Sequence, residues 1–159
     1  MNEDKNEIMF LLGKAVWCSQ LIETTLSDLI FVFENKDHPD LSKRNTNSRL
    51  YELSAETLGT LYRLFKNSNN IFTLDDRHKK TLGNCIDARN FLIHNLIKDP
   101  SLDIQIPEGR QKLITKIQCE YQTIKNGSDL VQLLLSKVVN VVGGDLNEIE
   151  NEVRSNFNL

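Results

Sequence analysis

Apolar side chains recur at helical spacing along most of this chain. Between residues 6 and 33 they follow one another at intervals of three, four and seven, which places them on one face of a long helix. These positions are Ile8, Leu12, Ala15, Ile22, Leu26, Leu29 and Phe33. The next segment, residues 34–47, is polar and contains Pro39, so the pattern predicts a loop after the first helix.

Two shorter helices are predicted in the middle of the chain. Residues 47–66 place apolar side chains on one side of a second helix, at Leu50, Leu58, Leu61 and Phe65. A third helix begins after Asp75, whose carboxylate can accept hydrogen bonds from the free backbone N–H groups of the first turn. This helix ends before Pro100, because the residue that precedes a proline disfavours helical geometry.

The longest predicted helix covers residues 108–142. Pro107 suits its first turn, where a missing backbone N–H has no cost. Its inward positions alternate at steps of four and three: Ile117, Tyr121, Ile124, Ser128, Val131, Leu135, Val138 and Val142. The pattern continues through Gly127, which costs about 1 kcal/mol relative to alanine, so we predict one helix rather than two. The glycines at 143–144 end it, and residues 145–148 predict the start of a short last helix.

No stretch shows the sustained alternation of apolar and polar residues that is typical of a β-strand. The nearest, LDIQIP at residues 102–107, is too short to indicate a sheet. We therefore expect an all-α fold, an up-and-down bundle of four to five helices. A chain of 159 residues has the size of one domain, so residues 1–159 are expected to form a single domain.

Composition and charge limit which cellular environments and which partners we expect for this protein. A net charge of −3 argues against a broadly basic surface for nucleic acid. The basic clusters at residues 42–44 and 77–80 would allow only local contacts, and each also fits a solvated loop or helix start. No apolar run approaches the roughly 20 residues of a membrane span, and the acidic start lacks the pattern of a signal peptide. With three cysteines in no paired spacing, we expect a cytoplasmic protein with reduced thiols and no membrane association.

The third predicted helix carries a charged residue within its apolar stripe. The stripe consists of Leu82, Ile86, Ile93 and Leu96, with Cys85, Leu92 and Ile97 beside it. Arg89 lies seven residues from both ends of it, and a buried, unpaired guanidinium is costly, so Arg89 needs an acceptor, solvent or a bound anion. His94 follows five positions later, about 140° further round an α-helix. It shares a face with Asn90, four residues before it, so these two side chains can touch.

A purely structural interpretation of these residues stays open. Arg89 can form an interhelical ion pair, with Glu23 or with Glu52, and His94 can be a surface histidine. Glu23 interrupts the first helix near its middle, which makes it a candidate for the same cleft. A solvent-facing glutamate, or a salt-bridge partner of Arg89, explains Glu23 equally well.

The stretch RNFLIH, residues 89–94, resembles the signature of HEPN domains (higher eukaryote and prokaryote nucleotide-binding): an arginine, a polar residue, three further positions and a histidine. Three other segments are similar in order to bacterial HEPN-type proteins. They are LIETTL at 21–26, ETLGTLYRLF at 56–65 and EGRQKLITKIQ at 108–118. The resemblance covers most of the chain, and RNFLIH is its most specific part.

The resemblance implies a helical bundle that dimerises through its signature helices, with two Arg/His sets in one cleft. Active members of the family are metal-independent RNA endonucleases. In such a site Arg89 would bind the scissile phosphate and stabilise the charge of the transition state. His94 would be a general acid or base, because an imidazole exchanges protons near neutral pH, and Asn90 would orient His94 or the phosphate. The 2′-hydroxyl of the RNA would attack and leave a 2′,3′-cyclic phosphate.

Two functions follow from the resemblance. The first is an endoribonuclease that acts as a toxin or defence component, with RNA, a second copy of the chain and an antitoxin as partners. The second is a non-catalytic HEPN module that binds a nucleotide or a partner protein such as a small nucleotidyltransferase. Neither implies a cofactor, and His38, His78 and the cysteines have no zinc-like spacing. Trp17 and Phe31 are interpreted as packing side chains rather than as platforms for base stacking.

Overall fold

A computed structural model describes residues 2–35, 46–67, 74–99 and 104–142, which fold as five α-helices. These are α1 (Asn2–Asn35), α2 (Thr46–Ser54), α3 (Leu58–Asn67), α4 (Asp76–Asn90) and α5 (Pro107–Val142). A π-helical turn (Phe91–Asn95) and a 3-10 turn (Leu96–Lys98) continue α4. The described residues contain no β-strand, so the predicted all-α bundle is confirmed.

The two long helices, α1 and α5, lie side by side and run in the same direction. At one end Arg110 donates a hydrogen bond to Asp4 at 3.0 Å, and further along Ile22 lies beside Gly127. Both helices bury the faces that their spacing predicts. On α1 only Leu12 of the predicted face is less than fully buried. The predicted face of α5 is buried at Ile117, Ile124, Ser128, Val131 and Val138 and partly buried at Tyr121 and Leu135, while the side chain of Val142 lies outside the described ones.

The shorter helices complete a bundle of alternating direction. α4 runs antiparallel to α5, because Cys85 contacts the Ile124 carbonyl oxygen whereas Phe91 lies beneath the Lys116 amine. α3 packs against the second half of α1, where the rings of Phe33 and Phe65 stack with centroids 5.8 Å apart. The Tyr62 hydroxyl of α3 donates to the Lys79 carbonyl oxygen of α4 at 3.0 Å. Side chains from all five helices contribute to one hydrophobic core.

The second predicted helix, residues 47–66, is divided into α2 and α3, so the prediction of one helix was wrong. The Ala55 N–H bonds to the carbonyl oxygens of both Tyr51 and Glu52 at 3.2 Å, which tightens and ends α2. Thr57 then accepts a hydrogen bond from the Thr60 N–H at 3.3 Å and so begins α3 as a threonine N-cap. The spacing of apolar residues continues across the break between α2 and α3, so the spacing alone does not predict this break.

Among the other predicted helix ends, α1 is longer than predicted, Asn2–Asn35 rather than residues 6–33, whereas the start of α4 and both ends of α5 agree with the structure. Asp75 is the N-cap of α4 and accepts a hydrogen bond from the His78 N–H at 2.7 Å. α5 begins at Pro107 and continues without a break through Gly127. Most of the predicted loop at 34–47 and the predicted last helix at 145–148 lie outside the described residues.

α1 is long and apolar enough, by length and composition alone, to cross a membrane. Over Glu3–Glu34 it contains an 18-residue window with a mean hydropathy of 1.2. The core helix of a soluble bundle meets the same criterion, and α1 packs against α3, α4 and α5 in this fold. Its hydropathy therefore does not by itself indicate a membrane span.

Candidate functional site

The candidate site lies where α4 changes into the π-helical turn. Arg89 and Asn90 are the last two residues of α4, and His94 lies within the turn. The Leu96 N–H bonds to the Phe91 carbonyl oxygen, which is the i→i+5 pattern of a π turn. Such a turn holds more residues than an α-helical turn, so His94 lies less far round from Arg89 than the regular-helix value of about 140°.

The π turn also changes which apolar side chains are buried. Ile93, which the spacing places in the buried stripe, is 44% exposed, so that part of the prediction was wrong. Leu92 is buried instead, together with Ala88 one turn earlier. Leu96, the next member of the stripe, is buried as the spacing predicts, so the stripe fails only at Ile93, within the wider turn.

The Arg89 side chain is half-buried, and only some of its hydrogen-bond donors have an acceptor among the described residues. Its side chain is 22% exposed, and its Nη2 lies 3.6 Å from Oε1 of Glu23 on α1. Its Nη1 donates a hydrogen bond to Oδ1 of the neighbouring Asn90 at 3.2 Å. The Nε atom is buried without a hydrogen-bond partner among the described residues. Since an arginine offers five N–H donors, this guanidinium can still bind an acceptor such as a phosphate oxygen.

The structure brings Glu23 to Arg89 and excludes the other proposed partner. The Glu23 side chain is 27% exposed, and its 3.6 Å distance to Arg89 is longer than a well-formed hydrogen bond. Glu52 lies elsewhere, because it accepts a hydrogen bond from Arg49 at 3.1 Å. The ion pair foreseen by the structural interpretation is therefore present with Glu23, in a long geometry that leaves hydrogen-bonding capacity on both partners.

His94 is exposed and unpartnered within the described part of the chain. No hydrogen bond joins it to Asn90. Asn90 instead holds Nη1 of Arg89. The imidazole is therefore accessible to a ligand, and the hydrogen bond that the Asn90 side chain makes here is to Arg89.

A small cavity of about 30 Å³ lies beneath Arg89. It is lined by Leu12, Ala15, Val16, Ser19, Leu92, Ile93 and Ile124 besides Arg89 itself. This volume accommodates about one water molecule and is far too small for a nucleotide. A ligand of Arg89 would consequently bind at the outer surface, beside the Glu23 carboxylate.

An exposed apolar patch adjoins the site, made of Met9, Phe10, Val16 and Trp17 on α1 together with Ile93. Trp17 is 64% exposed, so its interpretation as a packing side chain was wrong for the single chain, whereas Phe31 packs against the core as expected. Val16 and Ile93 line the same cavity as Arg89, which places the patch directly beside the guanidinium. Sequence spacing missed this patch because α1 is apolar on two opposite faces here.

The basic cluster at residues 77–80 lies at the start of α4, as one of its two interpretations expects. His78 contributes to the N-terminal cap through its N–H, and Lys79 lies 3.5 Å from the Asp76 carboxylate. Arg77 lines a polar groove of about 670 Å³ between α4 and α5. The wall of this groove also contains Asn84 and residues of α5, and no sequence signal indicated it.

Among the residues that the structure describes, no three His, Cys, Asp or Glu side chains lie together in a way that could hold a metal ion. No family model, curated protein or solved structure matches the chain.

Proposed function

We propose that this chain is a homodimeric HEPN-type endoribonuclease that cleaves RNA without a metal ion. One observation carries the proposal: a guanidinium with unused donors, Arg89, lies at the end of α4, and the π turn that directly follows holds His94, an exposed imidazole with no hydrogen-bond partner among the described residues. Such a pair supplies the two things that cleavage by a 2′-hydroxyl needs, a cation for the phosphate and a group that transfers a proton.

Arg89 binds the scissile phosphate in this proposal. The charge of the phosphate increases as the 2′-oxygen attacks, and a partly buried guanidinium stabilises that charge more than a solvated one does. Asn90 holds one end of the guanidinium through its 3.2 Å hydrogen bond, which limits the orientations of the donors. His94 transfers a proton to or from the reacting oxygens, and its exposure leaves it accessible to a strand of RNA.

The exposed apolar patch supports the proposed homodimer. Contiguous apolar surface of this kind marks sites of protein association, and the patch lies beside Arg89. Two chains that cover this patch on one another would bring two copies of the site close together. We propose that the dimer acts on RNA in the cytoplasm as a toxin or defence component, held inactive by an antitoxin.

Incubation of purified protein with a mixed RNA pool in EDTA tests the proposal. Wild-type protein is expected to cleave and leave 2′,3′-cyclic phosphate ends, whereas His94→Ala is expected to bind RNA without cleaving it. Circular dichroism establishes that the variant is folded, and His78→Ala is the matched control because that histidine lies at the far end of α4. Cleavage by His94→Ala at the wild-type rate contradicts the catalytic assignment.

A non-catalytic module is the second candidate, and the ion pair between Arg89 and Glu23 favours it, since the pair neutralises the cation that RNA would meet. This candidate binds a nucleotide or a partner protein, such as a small nucleotidyltransferase. It predicts a stable dimer, no cleavage of any RNA, and no effect of His94→Ala on complex formation.

A further inference from the structure

Cleavage by a 2′-hydroxyl requires two proton transfers. A base removes the proton from the attacking 2′-oxygen, and an acid gives a proton to the departing 5′-oxygen. Arg89 stays charged throughout and performs neither transfer. His94 fills one of the two roles, so the other remains to be assigned.

We propose that Glu23 is the general base for the 2′-hydroxyl and that His94 of the same chain is the general acid. This inference rests on the proposed ribonuclease function and deepens it by assigning both proton transfers.

The position of Glu23 suits a base. Its Oε1 lies 3.6 Å from Nη2 of Arg89, so a phosphate held by that nitrogen lies next to the carboxylate. In a reactive geometry the 2′-oxygen lies about 3–3.5 Å from the phosphorus. The proton to be removed is therefore within reach of a carboxylate that neighbours the phosphate.

The Glu23 carboxylate is also only loosely engaged by its neighbours. Within the described residues its oxygens have no contact closer than the long ion pair with Arg89. Other carboxylates are engaged by short contacts, such as Glu34, which accepts two hydrogen bonds from Arg49 at 2.7 and 2.9 Å. At 27% exposure, Glu23 is accessible to substrate and still partly shielded from water.

The proposed step balances in atoms and charge. The bond from the 2′-oxygen to phosphorus forms as the bond from phosphorus to the 5′-oxygen breaks. The 2′-hydroxyl proton passes to Glu23, and a proton passes from the His94 imidazolium to the 5′-oxygen. The products are a 2′,3′-cyclic phosphate and a 5′-hydroxyl, and exchange with water then restores both side chains.

A substrate with a sulfur leaving group separates the two roles. In RNA with a bridging 5′-phosphorothiolate the leaving group is a thiolate, which departs without the proton that an alkoxide needs because thiols are far more acidic. On ordinary RNA both Glu23→Gln and His94→Ala are expected to lower kcat by 100-fold or more, about the contribution of one general acid or base. The sulfur substrate is expected to restore cleavage by His94→Ala and not by Glu23→Gln.

Three further measurements make the result decisive. RNA affinity of Glu23→Gln should stay within about twofold of wild type or increase, since removal of the carboxylate frees Arg89. Glu23→Asp, which keeps a carboxylate, should retain part of the activity. Glu52→Gln is the control, because that glutamate pairs with Arg49 away from the site and its replacement should leave kcat unchanged.

The outcomes distinguish this role from the function on which it rests. Wild-type kcat in Glu23→Gln, weakened RNA binding as its only defect, or its rescue by the sulfur substrate each overturn the assignment of Glu23 while the ribonuclease stands. A wild-type protein that cleaves neither substrate overturns the proposed function and this role together.

Discussion

Gly127 of α5 approaches Cys85 of α4 more closely than any residue with a side chain could. A Cβ atom built on Gly127 would lie 2.7 Å from both the Cβ and the Sγ of Cys85, a separation that real Cβ atoms essentially never show. The glycine that weakens α5 as an isolated helix therefore allows the two helices to pack closely at this crossing.

Gly127→Ala is expected to destabilise the protein by about 1–3 kcal/mol, because the new methyl group overpacks the crossing. Gly83→Ala on α4 is the matched control, since nothing lies within 4 Å of its added Cβ. That substitution should stabilise by about 0.5–1 kcal/mol through helix propensity. Urea unfolding measures both, and a Gly127→Ala protein as stable as Gly83→Ala would contradict the close approach.

The three thiols are expected to differ in reactivity. Burial raises the pKa of Cys85 to about 12, so almost none of it is the reactive thiolate at neutral pH. Cys119 is exposed and Cys18 is half-buried. Alkylation with iodoacetamide at pH 7.5, followed by mass spectrometry, should modify Cys119 first and Cys85 only after unfolding. Early modification of Cys85 in the native protein would contradict its burial.

Asp28→Asn is expected to stabilise the protein at neutral pH. Burial raises the pKa of the Asp28 carboxyl above its usual 3.8, so the folded protein holds this proton more tightly than the unfolded chain. The free energy of unfolding therefore falls as the pH rises from the pKa of this carboxyl in the unfolded chain to its higher pKa in the folded protein. The neutral amide of asparagine does not ionise, so the variant does not lose this stability. Melting curves should show a higher Tm for the variant at pH 7 and no difference at pH 3. An equal Tm at pH 7 would exclude this cost of burial.

Arg110 ties the start of α5 to the start of α1. Its buried side chain donates to Asp4 at 3.0 Å and to the carbonyl oxygens of Ile104 and Gln105 at 3.3 Å. Arg110→Met keeps most of the apolar stem and removes these bonds, so it should cost about 1.5–3 kcal/mol, the range for hydrogen bonds to charged groups. Lys125→Met, which breaks an exposed ion pair, is the control and should change little. Equal effects of the two would contradict the structural role of Arg110.

Trp17→Glu is expected to convert the proposed dimer into a monomer. The substitution places a charge in the exposed apolar patch, where dimer formation would have to desolvate it. Tyr51→Glu is the control, because Tyr51 is 76% exposed on α2 and lies outside the patch. Light scattering coupled to gel filtration measures the mass of each protein. A dimeric Trp17→Glu protein would show that the patch is not the interface.

Much of this fold can be predicted from the order and spacing of residues along the chain. The buried faces of α1 and α5, the Asp75 cap and the Pro107 start follow from spacing and capping chemistry, which depend on residues a few positions apart. The division between α2 and α3 was not predicted, because the backbone bonds that end α2 leave no trace in the apolar spacing.

The candidate site, too, was predicted from the sequence only in part. RNFLIH singles out Arg89, Asn90 and His94 by residue type and spacing, and the cost of burying a guanidinium requires that Arg89 have a partner. Which glutamate pairs with it, Glu23 or Glu52, depends on where α1 and α2 lie relative to α4, and spacing within one helix holds no such information.

The sequence by itself determined an all-helical chain, the inward faces of its two long helices and the identity of the charged residue that interrupts an apolar stripe. Only the tertiary structure decided the π turn that rotates His94, the pairing of Arg89 with Glu23 and the close approach of Gly127 to Cys85. The physical reason is the separation along the chain between the residues that interact. Helical periodicity arises from hydrogen bonds between neighbours in sequence, whereas these three features depend on how the surfaces of different helices fit together.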